Sequence, residues 1–348
     1  MTQAVGYFGE VFSRNLGDEA VYTALRLSAM ANMQLFPITP AYNFNHLPQK
    51  KMLKQLSSIM IGGGTQFTPM NALKLKTLTQ YNDQVWSFGT GVGSCGFCEP
   101  QPADLTELIP SLKQINPLTV RGPYSQGALL KLGINSEVIG DPALCYARQR
   151  HTGNKKKILV NLLSPIDPTE KKAYAYFAIN LACCLTSLQK KGWEISFVAL
   201  GPGDYQYLKE FRSKFHFTDS QINQITVYTE DFLDLLLADF SLLISMRLHG
   251  AILAACVGIP FLLCNYRQKC ADFALSVNHG DLLIASTSTT SDLFTSIEFS
   301  LHNKEKISRS LNEQAHNFRQ KQLAFLTQQC NKTEDKIAST FLNNYTNV

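Results

Sequence analysis

The chain has 348 residues, of which 45% are hydrophobic and 17% are charged, and its formal net charge is +5. This length exceeds what one hydrophobic core usually serves, so we expect two domains of ordinary size. The mild positive charge comes without a dense Lys/Arg face or interleaved aromatic residues. That balance excludes a nucleic-acid groove and favours a small anionic ligand.

Nine cysteines, several of them inside apolar runs, indicate reduced core thiols and a reducing compartment. Cys95 and Cys98 form a CxxC unit without a second pair at zinc-site spacing, so we expect loop thiols and no metal site. The first twenty residues do not resemble a signal peptide, and no apolar run reaches the roughly 18 residues of a membrane span. We therefore expect a cytoplasmic protein.

Short apolar runs alternate with longer helical patterns along the whole chain, which is typical of parallel βα units with helices on both faces of a sheet. In the first half the predicted strands are Val5 to Phe8, Gln34 to Pro37, Ser58 to Ile61, Gln84 to Phe88, Leu118 to Arg121 and Glu137 to Ile139. Ligands bind beyond the carboxyl ends of such strands, so the residues that follow each strand are the candidates for function.

The first candidate segment contains Asn15, Gly17 and Asp18, between a strand and a helical pattern. Two interpretations stay open. Asp18 caps the helix, with Glu19 in its first turn, or Asn15 and Asp18 face a cleft and hold sugar or nucleotide hydroxyls.

Two glycine-rich turns follow the third and fourth strands. The first holds Gly62, Gly63, Gly64 and Thr65, and the second holds Gly89, Thr90 and Gly91. Glycines at such positions let the backbone approach a ligand closely and turn N–H groups toward an anion, but they serve equally as tight strand exits. Neither turn is a P-loop, because no Lys-Ser or Lys-Thr pair follows.

Arg121 ends the fifth strand and comes just before a helical pattern that includes Ser125. A guanidinium at a strand exit beside a helix N-terminus is well placed to bind a carboxylate or a phosphate, although a surface pairing with a neighbour is the alternative. Asp141, in the turn after the sixth strand, either orients another side chain or shapes the turn.

The polar stretch Ala147 to Lys156 has no periodicity and is the best candidate for an interdomain linker. We therefore expect an N-terminal domain over residues 1–150 and a C-terminal domain over residues 151–348. The second series of predicted strands is Lys157 to Leu162, Glu194 to Leu200, Gln224 to Tyr228, Ser241 to Ser245 and Pro260 to Asn265. The predicted helices include Lys171 to Lys190 and Asp231 to Ala238, and helices from about Lys304 pack back across both domains.

The most informative segment is Arg247, Leu248 and His249, which leaves an apolar strand just as a small-residue helix begins. The positive end of that helix supports a bound anion. A lone histidine is usually structural, but this setting favours a catalytic role for His249.

Tyr266 ends the next strand, and Lys269 follows at the start of another helix. Considered without its neighbours, Lys269 would be interpreted as a solvated lysine at a helix end. Together with Arg121, Arg247 and His249 it completes a candidate site for a doubly anionic ligand.

These motifs resemble the polysaccharide pyruvyl transferase family. The resemblance rests on an Asn-x-Gly-Asp element at Asn15 to Asp18, a GGG turn at Gly62 to Gly64, an Arg-x-x-x-Ser segment at Arg121 to Ser125, and Arg-Leu-His at Arg247 to His249 with Ala254, Gly258, Pro260, Tyr266 and Lys269 downstream. The motifs span most of the chain, and the Arg-Leu-His segment with its downstream residues is the most specific.

The resemblance implies an α/β fold of two Rossmann-like domains facing a cleft, as in GT-B glycosyltransferases. It also implies transfer of an enolpyruvyl unit from phosphoenolpyruvate, as co-substrate, to a sugar hydroxyl of a glycan or glycan precursor, which forms a pyruvyl ketal. Arg121, Arg247, His249 and Lys269 would surround the donor, with no further cofactor or metal. A lipid-linked acceptor would bring the protein to the inner face of the membrane.

Two other functions remain open from the sequence. The first is a glycosyltransferase of the same two-domain shape, in which the cations would hold the diphosphate of a sugar nucleotide. The second is a non-catalytic anion-binding protein of the same fold. The identity of the donor distinguishes a glycosyltransferase from a pyruvyl transferase. Catalytic turnover distinguishes a pyruvyl transferase from a non-catalytic anion-binding protein.

Overall fold

The computed structural model describes residues 3–28, 33–38, 47–96, 101–149, 155–165, 168–217 and 219–345, which form two parallel β-sheets flanked by helices. The strands are β1 Gln3–Phe8, β2 Met33–Ile38, β3 Ser58–Ile61, β4 Val85–Ser87, β5 Thr119–Val120, β6 Glu137–Val138, β7 Lys157–Asn161, β8 Glu194–Ala199, β9 Ile222–Gln224, β10 Leu242–Ser245, β11 Phe261–Cys264 and β12 Leu283–Ile284. The helices are α1 Leu16–Ser28, α2 Leu47–Gln55, α3 Ala72–Tyr81, α4 Ile109–Leu112, α5 Pro123–Leu130, α6 Pro168–Lys190, α7 Asp204–Lys214, α8 Thr229–Leu237, α9 Leu248–Cys256, α10 Gln268–Ser276, α11 Thr290–His302 and α12 Lys304–Tyr345.

The first sheet has the strand order β2-β1-β3-β4, and each pairing is parallel. Its β1 and β3 strands are almost entirely apolar and buried, as expected of strands covered on both faces. The chain leaves β1 toward β2 and returns to the other side of β1 with β3, so the switch point of this sheet lies between β1 and β3. The short parallel pair β5 and β6 is attached beside β4 through a bridge between Thr90 and Val120.

The second sheet has the order β12-β11-β10-β7-β8-β9, which is the strand order of the Rossmann fold. Its switch point lies between β7 and β10, where Asn161 pairs with Ser245. The segment that begins at Arg247 follows β10 directly and therefore leaves the sheet at the place where α/β proteins bind their ligands.

The carboxyl ends of the two sheets meet. The backbone N–H of Leu16, at the start of α1, donates to the carbonyl of Leu200, just after β8, over 2.8 Å. The expected arrangement of two Rossmann-like parts facing a cleft is thereby confirmed. The boundary at residue 150 stays a prediction, and residues 150–154 of the predicted linker lie outside the described part of the chain.

The long helix α12 packs back onto the first sheet, as predicted. The rings of Trp86 and Phe88 lie 5.9 and 5.7 Å from the ring of Phe325 on α12. Gln3 of β1 donates to the carbonyl of Cys330 over 2.7 Å. The helix α11 packs instead on α6, beside the second sheet. None of the described helices is both long and apolar enough to cross a membrane.

Most predicted strands lie within one or two residues of their observed bounds. The strand predicted at Gln224 to Tyr228 is wrong, because β9 ends at Gln224 and the next residues lead into α8. The short strand β12 was not predicted, since two residues are too few to show a period.

Candidate active site

A small cavity of about 30 Å³ lies where the two sheets meet. It brings together predicted residues from both halves of the chain: Asn15, Gly17, Arg247, Leu248, His249, Tyr266 and Lys269. More than 200 positions separate Asn15 and Gly17 from the other five residues, so it is the fold that places the two groups in one site.

His249 lies in the first turn of α9, opposite a buried carboxylate. Its Nε2 atom is 3.7 Å from Oδ1 of Asp141, and Asp141 is fully buried. A Cβ atom at Gly17 would lie 1.9 Å from Nδ1 of His249, so the glycine leaves the space that the imidazole ring occupies. Gly17 of the predicted Asn-x-Gly-Asp element therefore fixes the position of the histidine.

Asp141 performs both roles that the sequence left open. Its Oδ1 accepts from the backbone N–H of Ala143 over 3.0 Å and so shapes the turn. Its backbone carbonyl accepts from Nε2 of Gln322 on α12 over 2.8 Å. Burial favours the neutral acid, but His249, Arg121 and the N–H of Ala143 together hold the pKa of Asp141 below its ordinary value. The carboxylate is therefore ionised at neutral pH.

Arg121 is fully buried between two carboxylates. Its Nε is 3.5 Å from Asp272 and its Nη1 is 4.0 Å from Asp141, and Nη1 also donates to the carbonyl of Gly64 over 3.3 Å. Among the described residues, Nε and Nη2 have no hydrogen-bond partner. Arg121 lines neither of the two cavities of the cleft, and its charge faces Asp141, the carboxylate next to His249.

The predicted anion site at the N-terminus of α5 is filled by the chain's own Asp272, from α10. This carboxylate accepts from the backbone N–H groups of Tyr124 and Ser125 over 2.9 and 3.2 Å and from the Ser125 hydroxyl over 2.7 Å. Ser125 also accepts from the N–H of Val92 over 3.0 Å. Ser125 therefore makes a contact between the two halves of the chain, and its substrate contact stays a prediction.

Arg247 is held by a second carboxylate that the sequence analysis missed. Its Nε and Nη2 donate to the two oxygens of buried Asp204 over 2.5 and 2.9 Å, a bidentate pairing. Its backbone N–H donates to Oδ1 of Asn161 at the end of β7 over 3.0 Å. Burial lowers the pKa of Arg247, but hydrogen bonds and charge from Asp204 outweigh it and raise the pKa. Arg247 is thus a fixed cation at the switch point.

Lys269 lies in the first turn of α10, as predicted, and its Nζ is 5.6 Å from the centre of the Tyr266 ring. Burial lowers the pKa of Lys269. The thiol of Cys270 opposes this effect, and three nearby cations add to it: Arg121, Arg247 and Arg267. Each of these arginines also faces a carboxylate, so Lys269 itself is the charge in this part of the cleft that an anionic ligand would meet.

Tyr266 forms one wall of the small cavity. Its ring is almost fully buried and meets Tyr174 edge to face, with 6.1 Å between the ring centres. Burial raises the pKa of Tyr266, so the phenol stays protonated.

The two glycine turns mainly make room for protein atoms. A Cβ atom at Gly62 would meet the ring of Tyr7 at 2.1 Å, and one at Gly63 would meet Val21 and Pro142 at 2.9 and 3.0 Å. At these two positions protein atoms fill the space that a side chain would take, as in a tight strand exit, and the substrate contacts stay predictions.

The second turn is packed in the same way. Gly89 has φ +61° and would bring a Cβ atom within 2.3 Å of the carbonyl of Gly140, while a Cβ at Gly91 would meet Nη2 of Arg121 at 2.3 Å. The hydroxyl of Thr90 accepts from the N–H of Gln66 and is fully buried. These three residues are packed against other parts of the protein and their substrate contacts stay predictions, whereas Thr65 lines a second, larger cavity.

Asn15 of the Asn-x-Gly-Asp element caps the helix α1. Oδ1 of Asn15 accepts from the N–H of Gly17 over 3.2 Å, so the expectation that Asp18 caps the helix is wrong. Asp18 instead accepts from Ser13 and from Nδ2 of Asn15 over 2.9 and 3.0 Å. Asn15 reaches the small cavity, and Asp18 orients it.

The larger cavity measures about 550 Å³ and shares Lys269 with the small one. The exposed thiol of Cys95 lines it. Its CxxC partner, Cys98, lies outside the described residues. Within the described ranges no cluster of three His, Cys, Asp or Glu side chains has the arrangement of a metal site.

The fold is similar to solved structures of proteins that act on sugar nucleotides or transfer sugars. A UDP-GlcNAc 2-epimerase from Neisseria meningitidis bound to UDP-GlcNAc has a TM-score of 0.61 and 12% identity over 94% of this chain and 99% of its own. A glycosyltransferase from Rickettsia africae has a TM-score of 0.58 and 10% identity over 94% and 98%. The UDP-GlcNAc 2-epimerase of Methanocaldococcus jannaschii in complex with UDP-GlcNAc and UDP has a TM-score of 0.52 and 12% identity over 86% and 93%.

At such identities the likeness shows the fold alone. The search of curated proteins found no match for the sequence. The family model of polysaccharide pyruvyl transferase matches residues 15–268, a stretch that begins at the Asn-x-Gly-Asp element and ends beside Lys269. The match covers well over half of the chain and includes every residue on which the resemblance rested except Lys269, which lies one position beyond it, and it supports a transferase. The chain therefore belongs to the polysaccharide pyruvyl transferase family.

Proposed function

We propose that the protein transfers the enolpyruvyl unit of phosphoenolpyruvate to hydroxyls of a sugar, forming a pyruvyl ketal and releasing phosphate. The observation that carries the proposal is the placement of Arg247 and Lys269 beside the His249–Asp141 pair at the meeting of the two sheets. Two cations suit a donor with a carboxylate and a phosphate, and the histidine suits a step that needs proton transfer.

In this proposal Arg247 and Lys269 contact the two anionic groups of the donor. Arg247 is already oriented by Asp204, so little conformational freedom is lost when it binds. Arg121 stays behind the cavity wall and contributes charge. The small cavity, at about 30 Å³, has room for about one water molecule, so the two halves separate to admit the donor.

His249 protonates the methylene carbon of phosphoenolpyruvate while a sugar hydroxyl attacks the adjacent carbon. Asp141 lies where its charge balances the imidazolium ring. The bond between that carbon and the phosphate oxygen breaks, and a second hydroxyl of the same sugar closes the ketal. Of the two hydroxyl protons, one replaces the proton that His249 gave to the new methyl group, and the other leaves with phosphate.

The test is incubation of the purified protein with phosphoenolpyruvate and a panel of sugar nucleotides and lipid-linked glycans. Acceptor-dependent phosphate release, together with the mass gain of a pyruvyl ketal, is the expected result. Consumption of sugar nucleotides with release of nucleoside diphosphate would instead support a glycosyltransferase. Binding of phosphoenolpyruvate without turnover on any acceptor would support a non-catalytic anion-binding protein.

A further inference from the structure

The cavity of about 550 Å³ beside the donor site has a size typical of small-molecule sites. One side is formed by the first half of the chain, at residues 65, 68–70, 92–95 and 103–104, and the other by Arg267 and Lys269. It meets the small cavity at Lys269, which lines both. A molecule bound here would therefore lie next to the donor.

The wall of this cavity is built in advance by backbone hydrogen bonds. The N–H of Phe67 donates to the carbonyl of Gly91 over 3.1 Å, and the N–H of Gly93 donates to the carbonyl of Phe67 over 2.9 Å. The N–H of Ala103 then donates to the carbonyl of Gly93 over 2.8 Å. Three extended segments are thus joined side by side beyond β3 and β4, so the wall has its shape before any ligand binds.

The lining combines apolar surface with hydroxyl groups. Pro69, Val92 and Ala103 supply apolar atoms, and Thr65 and Thr68 supply hydroxyls. An apolar floor with a few polar groups at its edge suits a sugar ring, whose C–H face packs on the floor while its hydroxyls reach the edge.

The charges of the cavity are nearly balanced. Arg267 donates through Nη2 to buried Glu170 over 2.7 Å, so its charge is already paired. Asp104 carries a carboxylate whose pKa is lowered by hydrogen bonds from Thr106. Lys269 is shared with the donor. A second anionic ligand therefore has little to bind here, and an uncharged one fits.

We propose that this cavity holds an uncharged pyranose ring, the sugar that receives the pyruvyl unit, with its reacting hydroxyls toward Lys269. The inference rests on the proposed function and adds to it the place and the chemistry of the acceptor.

The test fills the cavity with a larger side chain. Ala103→Trp places an indole over the apolar floor, and Ala175→Trp, on the exposed side of α6, is the matched control. Saturation-transfer NMR with the methyl pyranosides of glucose, galactose and mannose measures binding of uncharged sugars, and calorimetry with phosphoenolpyruvate measures binding of the donor. Thermal unfolding of each variant verifies that the fold is retained.

We expect wild-type protein and Ala175→Trp to bind at least one of these sugars, and Ala103→Trp to bind it about tenfold more weakly or not at all. Donor affinity stays the same in all three proteins. Unchanged sugar binding in Ala103→Trp, no sugar binding in the wild type, or loss of donor binding together with sugar binding would each overturn the proposal. If the wild type released no phosphate while sugar binding still depended on Ala103, the proposed function would fail and the sugar site would stand.

Discussion

Asp272 joins the two halves of the chain, and its removal offers a quantitative test of the structure. Asp272→Ala deletes three hydrogen bonds to the start of α5 and the ion pair with fully buried Arg121. Breaking a buried ion pair by removing one partner costs about 3–5 kcal/mol, because the remaining charge stays buried. Asp141 still lies 4.0 Å from Arg121 and offsets part of that charge. We therefore expect the free energy of unfolding to fall by about 3 kcal/mol, the lower end of the range.

Urea denaturation measures this loss, and the two tryptophans report on the two halves. Trp86 lies on β4 of the first sheet, and Trp193 comes just before β8 of the second. Both fluorescence transitions should move to lower urea concentration in Asp272→Ala. Asp234→Ala, at an exposed position on α8, is the control and should change stability by no more than about 0.5 kcal/mol. A change in Asp272→Ala no larger than that of the control would refute the reasoning.

Four further variants test the site. His249→Ala should keep the fold and lower kcat by about 10²- to 10⁴-fold, and an unchanged rate would remove His249 from the chemistry. Gly17→Ala should lower kcat with little effect on donor affinity, because its new methyl group displaces the imidazole; kinetics equal to wild type would contradict the contact. Arg247→Lys should weaken donor binding by about tenfold in calorimetry, because one charge-assisted hydrogen bond is lost, and equal affinity would disprove the clamp. Since burial and neighbouring cations hold the pKa of Lys269 below its ordinary value, donor binding raises that pKa and takes up protons at alkaline pH. Calorimetry in buffers of different ionisation enthalpy should show this uptake in wild type and not in Lys269→Met; uptake in both would assign it to another group.

The fold and the central residues of the site could be predicted from local sequence patterns. The apolar run of β10, followed at once by Arg247 and His249, identifies a strand end. Because ligands of α/β sheets bind at such ends, the two residues are predicted to lie in the site. Lys269 at the start of α10 was found in the same way.

The buried carboxylates that pair with Arg247 and Arg121 could not be predicted from the sequence. Asp204 is the first residue of α7, where an acidic residue is common because of the helix dipole, and Asp272 lies in the middle of α10. Only tertiary contact shows that they hold Arg247 and Arg121. What fills the space beside Gly62 could not be predicted from the sequence either. A glycine after a strand shows that a side chain is excluded, but not whether a ligand or the ring of Tyr7 excludes it.

The distribution of charge in the cleft also could not be predicted from the sequence. The sequence predicts that Arg121, Arg247 and Lys269 contact one ligand in the same way. Burial separates them, because Arg121 is enclosed by two carboxylates while Arg247 and Lys269 reach the small cavity. Arg267 was overlooked, and it lines the larger cavity with its charge paired to Glu170.

The central claim is that His249 delivers a proton to the methylene carbon of phosphoenolpyruvate as a sugar hydroxyl adds. Running the reaction in D₂O with phosphoenolpyruvate and a reactive acceptor, followed by mass spectrometry and NMR of the product, tests this directly. We expect a ketal whose methyl group carries a single deuterium, formed with phosphate and formed about 10²- to 10⁴-fold more slowly by His249→Ala. A pyruvylated product without deuterium in its methyl group, or the same product at the same rate from His249→Ala, would contradict it.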